Sequence, residues 1–188
     1  MKIFLLGLTG AGKSTIGKLL AEKLGYPFID LDDIIRFETR RSIEDIFETD
    51  GEDHFRKLES DYLRKVADID RRVIATGGGT PCYHQGMDFI KMSGLSLFLY
   101  TPLDLVTSRL YNTKSTQRPL IKGKSKAELQ NFLLQKFTER LPVYARADFS
   151  IDTNVGETPE KTAAILFELV KLIEHNSKMN PQIKSNQQ

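Results

Sequence analysis

The stretch Gly7-Leu8-Thr9-Gly10-Ala11-Gly12-Lys13-Ser14 narrows the folds open to this chain more than any other. It fits the spacing G-x-x-x-x-G-K-[ST] of a phosphate-binding loop. Just ahead of it, Lys2-Ile3-Phe4-Leu5-Leu6 is a short apolar run of the kind that forms a buried parallel strand. Just behind it, Ile16, Leu19, Leu20 and Leu24 recur at helical spacing, and Gly25 is placed to end that helix. An ordinary glycine-rich turn would not need both flanks. In a P-loop the glycines let successive backbone N–H groups converge on one anion at the positive end of a helix. Gly10, Ala11, Gly12, Lys13, Ser14 and Thr15 are therefore the expected nucleotide-binding residues. Lys13 adds a mobile cation for the outer phosphates, and Ser14 a hydroxyl for Mg²⁺.

The rest of the chain alternates strand and helix. Pro27 to Asp32 reads as a second strand ending in two acids, followed by a polar helix from Asp33 to Arg40. Ser42 opens a short helix that Asp50-Gly51 breaks, and a longer one runs from Glu52 to about Ala67 on the stripe Phe55, Leu58, Tyr62, Leu63 and Val66. Val73-Ile74-Ala75 and Leu95 to Tyr100 are further strands. A helix from Asp104 to Leu110 carries Arg109. Ser125 and Glu128 form a capping box for a long helix that Pro142 should kink or end. Phe149 to Asp152 is a last strand, and Thr158-Pro159 opens a final helix. Five strands alternating with helices predict a three-layer α/β/α domain around a five-stranded parallel sheet. One P-loop domain is expected over residues 1–175, with a basic, mobile lid at about 111–125 and a polar, disordered tail at 176–188.

Composition closes off other classes. The 188 residues hold 27 Lys and Arg against 25 Asp and Glu, a net charge of +2, too small to point to nucleic acid as a partner. No apolar run approaches the roughly 18 residues of a membrane span, and no leader peptide is expected ahead of the first strand. The single cysteine, Cys82, excludes an internal disulfide and fits a reducing compartment such as the cytoplasm. Size and the absence of an obvious apolar helix face favour a monomer.

Several stretches carry chemistry beyond the P-loop. In an open parallel sheet ligands gather beyond the carboxyl ends of the strands, so Asp30 and Asp32 are expected near the loop mouth, one pleat apart. The alternative is helix capping, which Asp32 or Asp33 could provide for the segment that follows. Arg56 and Glu59, three apart, read by themselves as an exposed ion pair. Thr76-Gly77-Gly78-Gly79 runs straight out of a strand, where glycines supply backbone donors or let a neighbour come close. Cys82 follows, read as a small buried residue rather than a nucleophile.

Taken together, Gly7 to Ser14, Asp30-Leu31-Asp32, Phe55-Arg56 with Glu59, Thr76-Gly77-Gly78-Gly79, Arg118-Pro119-Leu120, and Arg140 before Tyr144 resemble the shikimate kinase family, in the family's order from about Lys2 to the final helix. The resemblance implies transfer of the γ-phosphoryl group of ATP to the 3-hydroxyl of shikimate, on the route to chorismate and the aromatic amino acids. It implies that Arg56 and Arg140 bind the substrate carboxylate and that Asp32 accepts from the hydroxyls and activates the attacking one. Gly77, Gly78 and Gly79 would line the substrate, Glu59 would hold Arg56, and Asp30 would support Mg²⁺ with Ser14. Lys13 and Arg118 would stabilise the transferring phosphoryl, with Arg109 and Asn154 against the adenine. A gluconate or nucleoside monophosphate kinase is the nearest rival of the same architecture; acceptor choice discriminates, since a substrate without a carboxylate leaves Arg56 and Arg140 unpaired. A non-catalytic nucleotide-binding protein would not need Lys13, Ser14, Asp32, Arg56 and Arg140 together.

Overall fold

The structure, a computed structural model, describes residues 1–113 and 121–179. Its centre is a five-stranded, all-parallel sheet in the order β2-β3-β1-β4-β5, with β1 at Lys2–Leu6, β2 at Phe28–Asp30, β3 at Arg72–Ala75, β4 at Leu95–Tyr100 and β5 at Phe149–Asp152. The chain places β1 in the middle, and residues Ile3 to Leu6 are closed to solvent on both sides. Period-two alternation sorts them. Ile3 and Leu5 pack with Leu97 and Leu99 beneath α1 (Lys13–Leu24) and α7 (Pro159–Met179), whose Leu20, Leu166 and Val170 complete that layer. Phe4 and Leu6 face the opposite layer, built from α2 (Leu31–Thr39), α3 (Ile43–Ala67), α4 (Gly86–Ser93) and Tyr144 of α6 (Lys126–Tyr144). A smaller cluster joins α5 (Leu103–Asn112) to α6 through Val106, Leu110, Leu129 and Leu133. The expected three-layer α/β/α domain with a five-stranded parallel sheet is what the chain forms.

Local departures have local causes. The second strand stops at Asp30, because the Asp30 carboxylate accepts the Asp32 amide at 3.1 Å and caps α2. Asp32 therefore stands in the first turn of a helix, not one pleat beyond Asp30 on a strand. The capping role weighed for Asp32 or Asp33 falls to Asp30. The break expected at Gly51 is a kink inside α3, where Gly51 has φ 84° and ψ 171°. Pro142 lies inside α6, which ends two residues on. The capping box of Ser125 and Glu128 is formed. The short helix α4, which the sequence reading left out, fills the connection between the glycine loop and β4. The final helix runs past the expected boundary at 175 as far as Met179. Among the described residues no helix is long and apolar enough to cross a membrane. Residues 114–120, the middle of the expected lid, and 180–188, most of the expected tail, lie outside the described residues.

Candidate active site

All the expected site elements that are described converge at the carboxyl edge of the sheet. The P-loop follows β1, with Gly10 and Gly12 at φ 85° and 91°, values that a side chain would strain. Lys13, nearly buried, donates through Nζ to the Gly7 and Leu8 carbonyls at 2.9 and 2.8 Å, so its ammonium lies across the loop. The Ser14 hydroxyl donates to Asp30 Oδ2 at 2.5 Å, which ties the start of α1 to the end of β2. Gly10, Gly12, Lys13, Ser14 and Thr15 line a cleft of about 410 Å³ together with Arg109 and Thr153. Two expectations do not reach this cleft. Ala11 is buried, and its amide donates back to Leu8 O at 3.1 Å while its carbonyl accepts from Thr101 Oγ1. Asn154 is not among the cleft-lining residues described; its neighbour Thr153 is, because the Asn154 amide turns back onto Asp152 Oδ1.

A second cavity, of about 390 Å³, opens on the other side of the loop. Its polar wall is formed by Asp32, Arg56, Glu59, Gly77, Gly78, Gly79 and Arg140, and its apolar wall by Phe47, Phe55, Phe132 and Leu133. Arg56 and Glu59 are 4% and 1% exposed, so the surface ion-pair reading is wrong. Glu59 Oε2 accepts from Arg56 Nη1 at 2.5 Å, and Oε1 accepts from Thr80 Oγ1 at 2.7 Å. On its other edge Arg56 donates from Nε and Nη2 to Glu52 Oε1 at 3.1 and 2.7 Å. Three of the five guanidinium N–H groups are thus used, and two are left for a ligand carboxylate. Tyr83 lies 4.7 Å from the guanidinium and fixes its plane further. Burial works against the Arg56 charge, but Glu59 and Glu52 overcome it and hold the group protonated more firmly than an ordinary arginine. Burial pushes the Glu59 carboxyl above its ordinary value, and Arg56 and Thr80 draw it back only in part. Both of its oxygens accept, the pattern of the ionised form.

The triple glycine is explained by this packing. None of the three has positive φ. A Cβ at Gly77 would lie 2.0 Å from Glu59 Oε1, and one at Gly79 would lie 2.6 Å from Arg56 Nη1. At Gly78 it would meet Thr9 N at 3.1 Å and Arg140 Nη1 at 3.2 Å. Each glycine makes room for a separate part of the site. Arg140, at 8% exposure, has no carboxylate within ion-pair distance among the described residues. A nearly buried cation without a counter-charge favours an anionic ligand. Four residues on, Tyr144 is closed to solvent and donates its hydroxyl to the Gly78 carbonyl. Burial pushes its phenol pKa up. Burial also raises the Cys82 thiol, in keeping with an unreactive cysteine.

The two cavities share a wall. Thr9, Ser14, Asp30, Asp32, Gly77 and Gly78 line both, so a group bound in one can meet a group bound in the other there. For a divalent cation this wall offers the Ser14 hydroxyl and the Asp30 carboxylate, hard oxygen donors suited to Mg²⁺. No cluster of three or more metal-ligating side chains exists among the described residues. Such a donor set fits a cation that arrives with a nucleotide and keeps phosphate and water ligands. Arg118 lies outside the described residues; after that gap, Ile121 lines the second cavity and Lys122 pairs with Glu44. The sequence reading missed Arg36 and Lys136, which also line the second cavity. Arg36 could have been found, since it falls one helical turn after Asp32. It missed Tyr144 as a partner of the glycine loop as well, although its spacing of four from Arg140 was a signal.

A family model described as shikimate kinase matches residues 9–171. A shikimate kinase of Bacteroides thetaiotaomicron is 37% identical over 174 residues, which span 93% of this chain and 99% of that protein. The crystal structure of shikimate kinase from that organism superposes with a TM-score of 0.85 at 37% identity, over 91% of this chain and 98% of the other. A shikimate kinase of Acinetobacter baumannii in complex with shikimate superposes with a TM-score of 0.83 at 35% identity, over 93% of each chain.

Proposed function

The chain belongs to the shikimate kinase family, and from that premise we propose that it transfers the γ-phosphoryl group of ATP to the 3-hydroxyl of shikimate. The observation that carries the reading is the pair of cavities meeting at one wall, with a P-loop on one side and two nearly buried arginines on the other. Shikimate offers one carboxylate and three hydroxyls. Arg140, with no carboxylate partner described, and the two remaining N–H groups of Arg56 take the carboxylate. That anchorage turns the opposite side of the ring toward the shared wall, where Asp32 accepts from the attacking hydroxyl and orients or deprotonates it.

On the nucleotide side, the amides of Gly10, Gly12, Lys13, Ser14 and Thr15 receive the phosphates, and Arg109 stacks against the base. Lys13 leaves the Gly7 and Leu8 carbonyls for the phosphate oxygens and neutralises charge as the phosphoryl moves. Gly78 and Gly79 donate N–H groups near the acceptor and γ-phosphate. Ser14 and Asp30 would hold Mg²⁺, which when bound neutralises the β- and γ-phosphate oxygens. Arg118 is assigned to the transferring phosphoryl as part of the lid. The single cysteine supports a cytoplasmic enzyme, which we take to be a monomer.

The test is ATP consumption by purified protein with Mg²⁺, with and without shikimate, alongside gluconate and nucleoside monophosphates as acceptors. Turnover that depends on shikimate is the expected result. Equal turnover with and without it, or a preference for gluconate or a nucleoside monophosphate, would overturn the reading.

A further inference from the structure

We propose that Tyr144 is a positioning residue for the transfer step, its hydroxyl fixing the Gly78–Gly79 peptide so that the glycine loop's backbone donors face the acceptor cavity. The inference rests on the functional reading above and adds a residue whose part in it is not packing alone. Three carbonyls follow one another in this loop, and two are held by the local backbone. Gly77 O accepts from the Thr80 amide at 3.3 Å, and Gly79 O from the Cys82 amide at 2.8 Å. Gly78 O, between them, accepts from the Tyr144 hydroxyl, 66 residues away in the chain. A peptide unit is planar, so holding its oxygen also sets the direction of the Gly79 N–H. Neither residue has a side chain to orient that peptide, so the Tyr144 hydrogen bond does so.

The tyrosine itself is anchored. Its ring is closed to solvent and stacks on Phe98 of β4, with centroids 5.1 Å apart and planes at 29°. Arg140 lies one turn earlier on the same helix, and its Nη1 would be 3.2 Å from a Cβ on Gly78. The other neighbour of that position is the Thr9 amide of the P-loop, at 3.1 Å. One helix turn thus presents a substrate-binding cation and the clamp on the loop between both cavities. A phenylalanine would fill the same core volume and stack on Phe98 equally well. Only the hydroxyl reaches Gly78, and a buried hydroxyl requires such a partner.

Tyr144→Phe removes the donor and keeps the ring. We expect kcat with shikimate to fall about tenfold or more, with KM for ATP within about twofold of wild type, because donor alignment in the transfer step is lost while the nucleotide cleft is not. In ¹⁵N-glycine-labelled protein the Gly79 amide resonance should shift and broaden, a readout independent of the acceptor. Phe98→Leu disturbs the packing beneath the ring but spares the hydroxyl, and should lower Tm with kcat retained. Unchanged kcat in Tyr144→Phe, an unmoved Gly79 resonance, or equal loss of kcat in both variants would overturn the proposal. Should Tyr144→Phe not fold, 3-fluorotyrosine in the wild-type sequence serves instead. Ring fluorination acidifies the hydroxyl and alters its strength as a donor, so it must move the Gly79 amide resonance relative to the unsubstituted protein, and an unmoved resonance refutes the clamp. A wild-type enzyme that prefers another acceptor would refute the substrate assignment alone, and the variants would then be compared on that acceptor.

Discussion

Gly79→Ala separates the glycine loop's packing role from its conformational one. Gly79 has φ −93° and ψ −21°, a conformation that alanine adopts without strain, so any effect must be steric. The new Cβ would sit 2.6 Å from Arg56 Nη1, 2.7 Å from Cζ and 3.1 Å from Nη2. Ordinary contact requires about 3.4 Å, so the guanidinium must retreat by about 0.8 Å. An exposed arginine would do so at little cost. Arg56 instead is held on one side by Glu59 at 2.5 Å and on the other by Glu52 at 2.7 Å. Retreat stretches at least one of these bonds or withdraws the two N–H groups offered to the substrate. Loss of one charge-assisted hydrogen bond is worth about 1.5–3 kcal/mol, equivalent to about 10- to 150-fold in affinity. Calorimetric titration should show shikimate binding weakened by that factor. Nucleotide affinity should stay within about twofold, since Gly79 lines only the acceptor cavity. A shikimate Kd within twofold of wild type would refute both the clamp on Arg56 and its assignment to the carboxylate.

Three further outcomes follow from the geometry. Asp32→Asn should lower kcat by about 10²-fold or more and leave ATP affinity nearly unchanged, as equilibrium titration against steady-state rates would report. Glu59 has its folded-state pKa raised by burial, so its protonation favours folding: that contribution is fully present below the ordinary glutamate range and is lost as pH rises through the folded value. The Tm advantage of wild type over Glu59→Gln should therefore shrink as pH rises from about 4, in thermal scans at constant ionic strength; an advantage that grows would contradict the sign. Ser125→Ala breaks the capping box at the start of α6 and should cost about 1 kcal/mol, a fall in Tm of about 2–4 °C, with kcat unchanged at room temperature.

The fold was legible in the sequence wherever a period or a punctuating residue was strong. Ile3 to Leu6, the Ser125 capping box and Gly51 each stand as expected, because the signals there are local. Asp32 was misplaced because strand ends and helix starts share the same acids. Only the Asp30 carboxylate bonding the Asp32 amide decides where β2 stops. Arg56 and Glu59 could not be told from a surface pair by spacing, since burial comes from Thr80 and the glycine loop, twenty residues later in the chain. The motif combination singled out residues that the fold brings to the two cavities, among them Ser14, Asp32, Arg56 and Arg140. What it could not supply was contact between distant segments, such as Tyr144 with Gly78, or the turn that leaves Thr153 and not Asn154 in the nucleotide cleft.

The central claim is that the shared wall passes a phosphoryl group from nucleotide to a carboxylate-bearing polyol. ³¹P NMR of a reaction containing the protein, Mg-ATP and shikimate tests it most directly. The account predicts a phosphate monoester resonance coupled to the proton on carbon 3, growing with ADP and absent without shikimate. Inorganic phosphate as the only new species, or a monoester at another carbon, would contradict it.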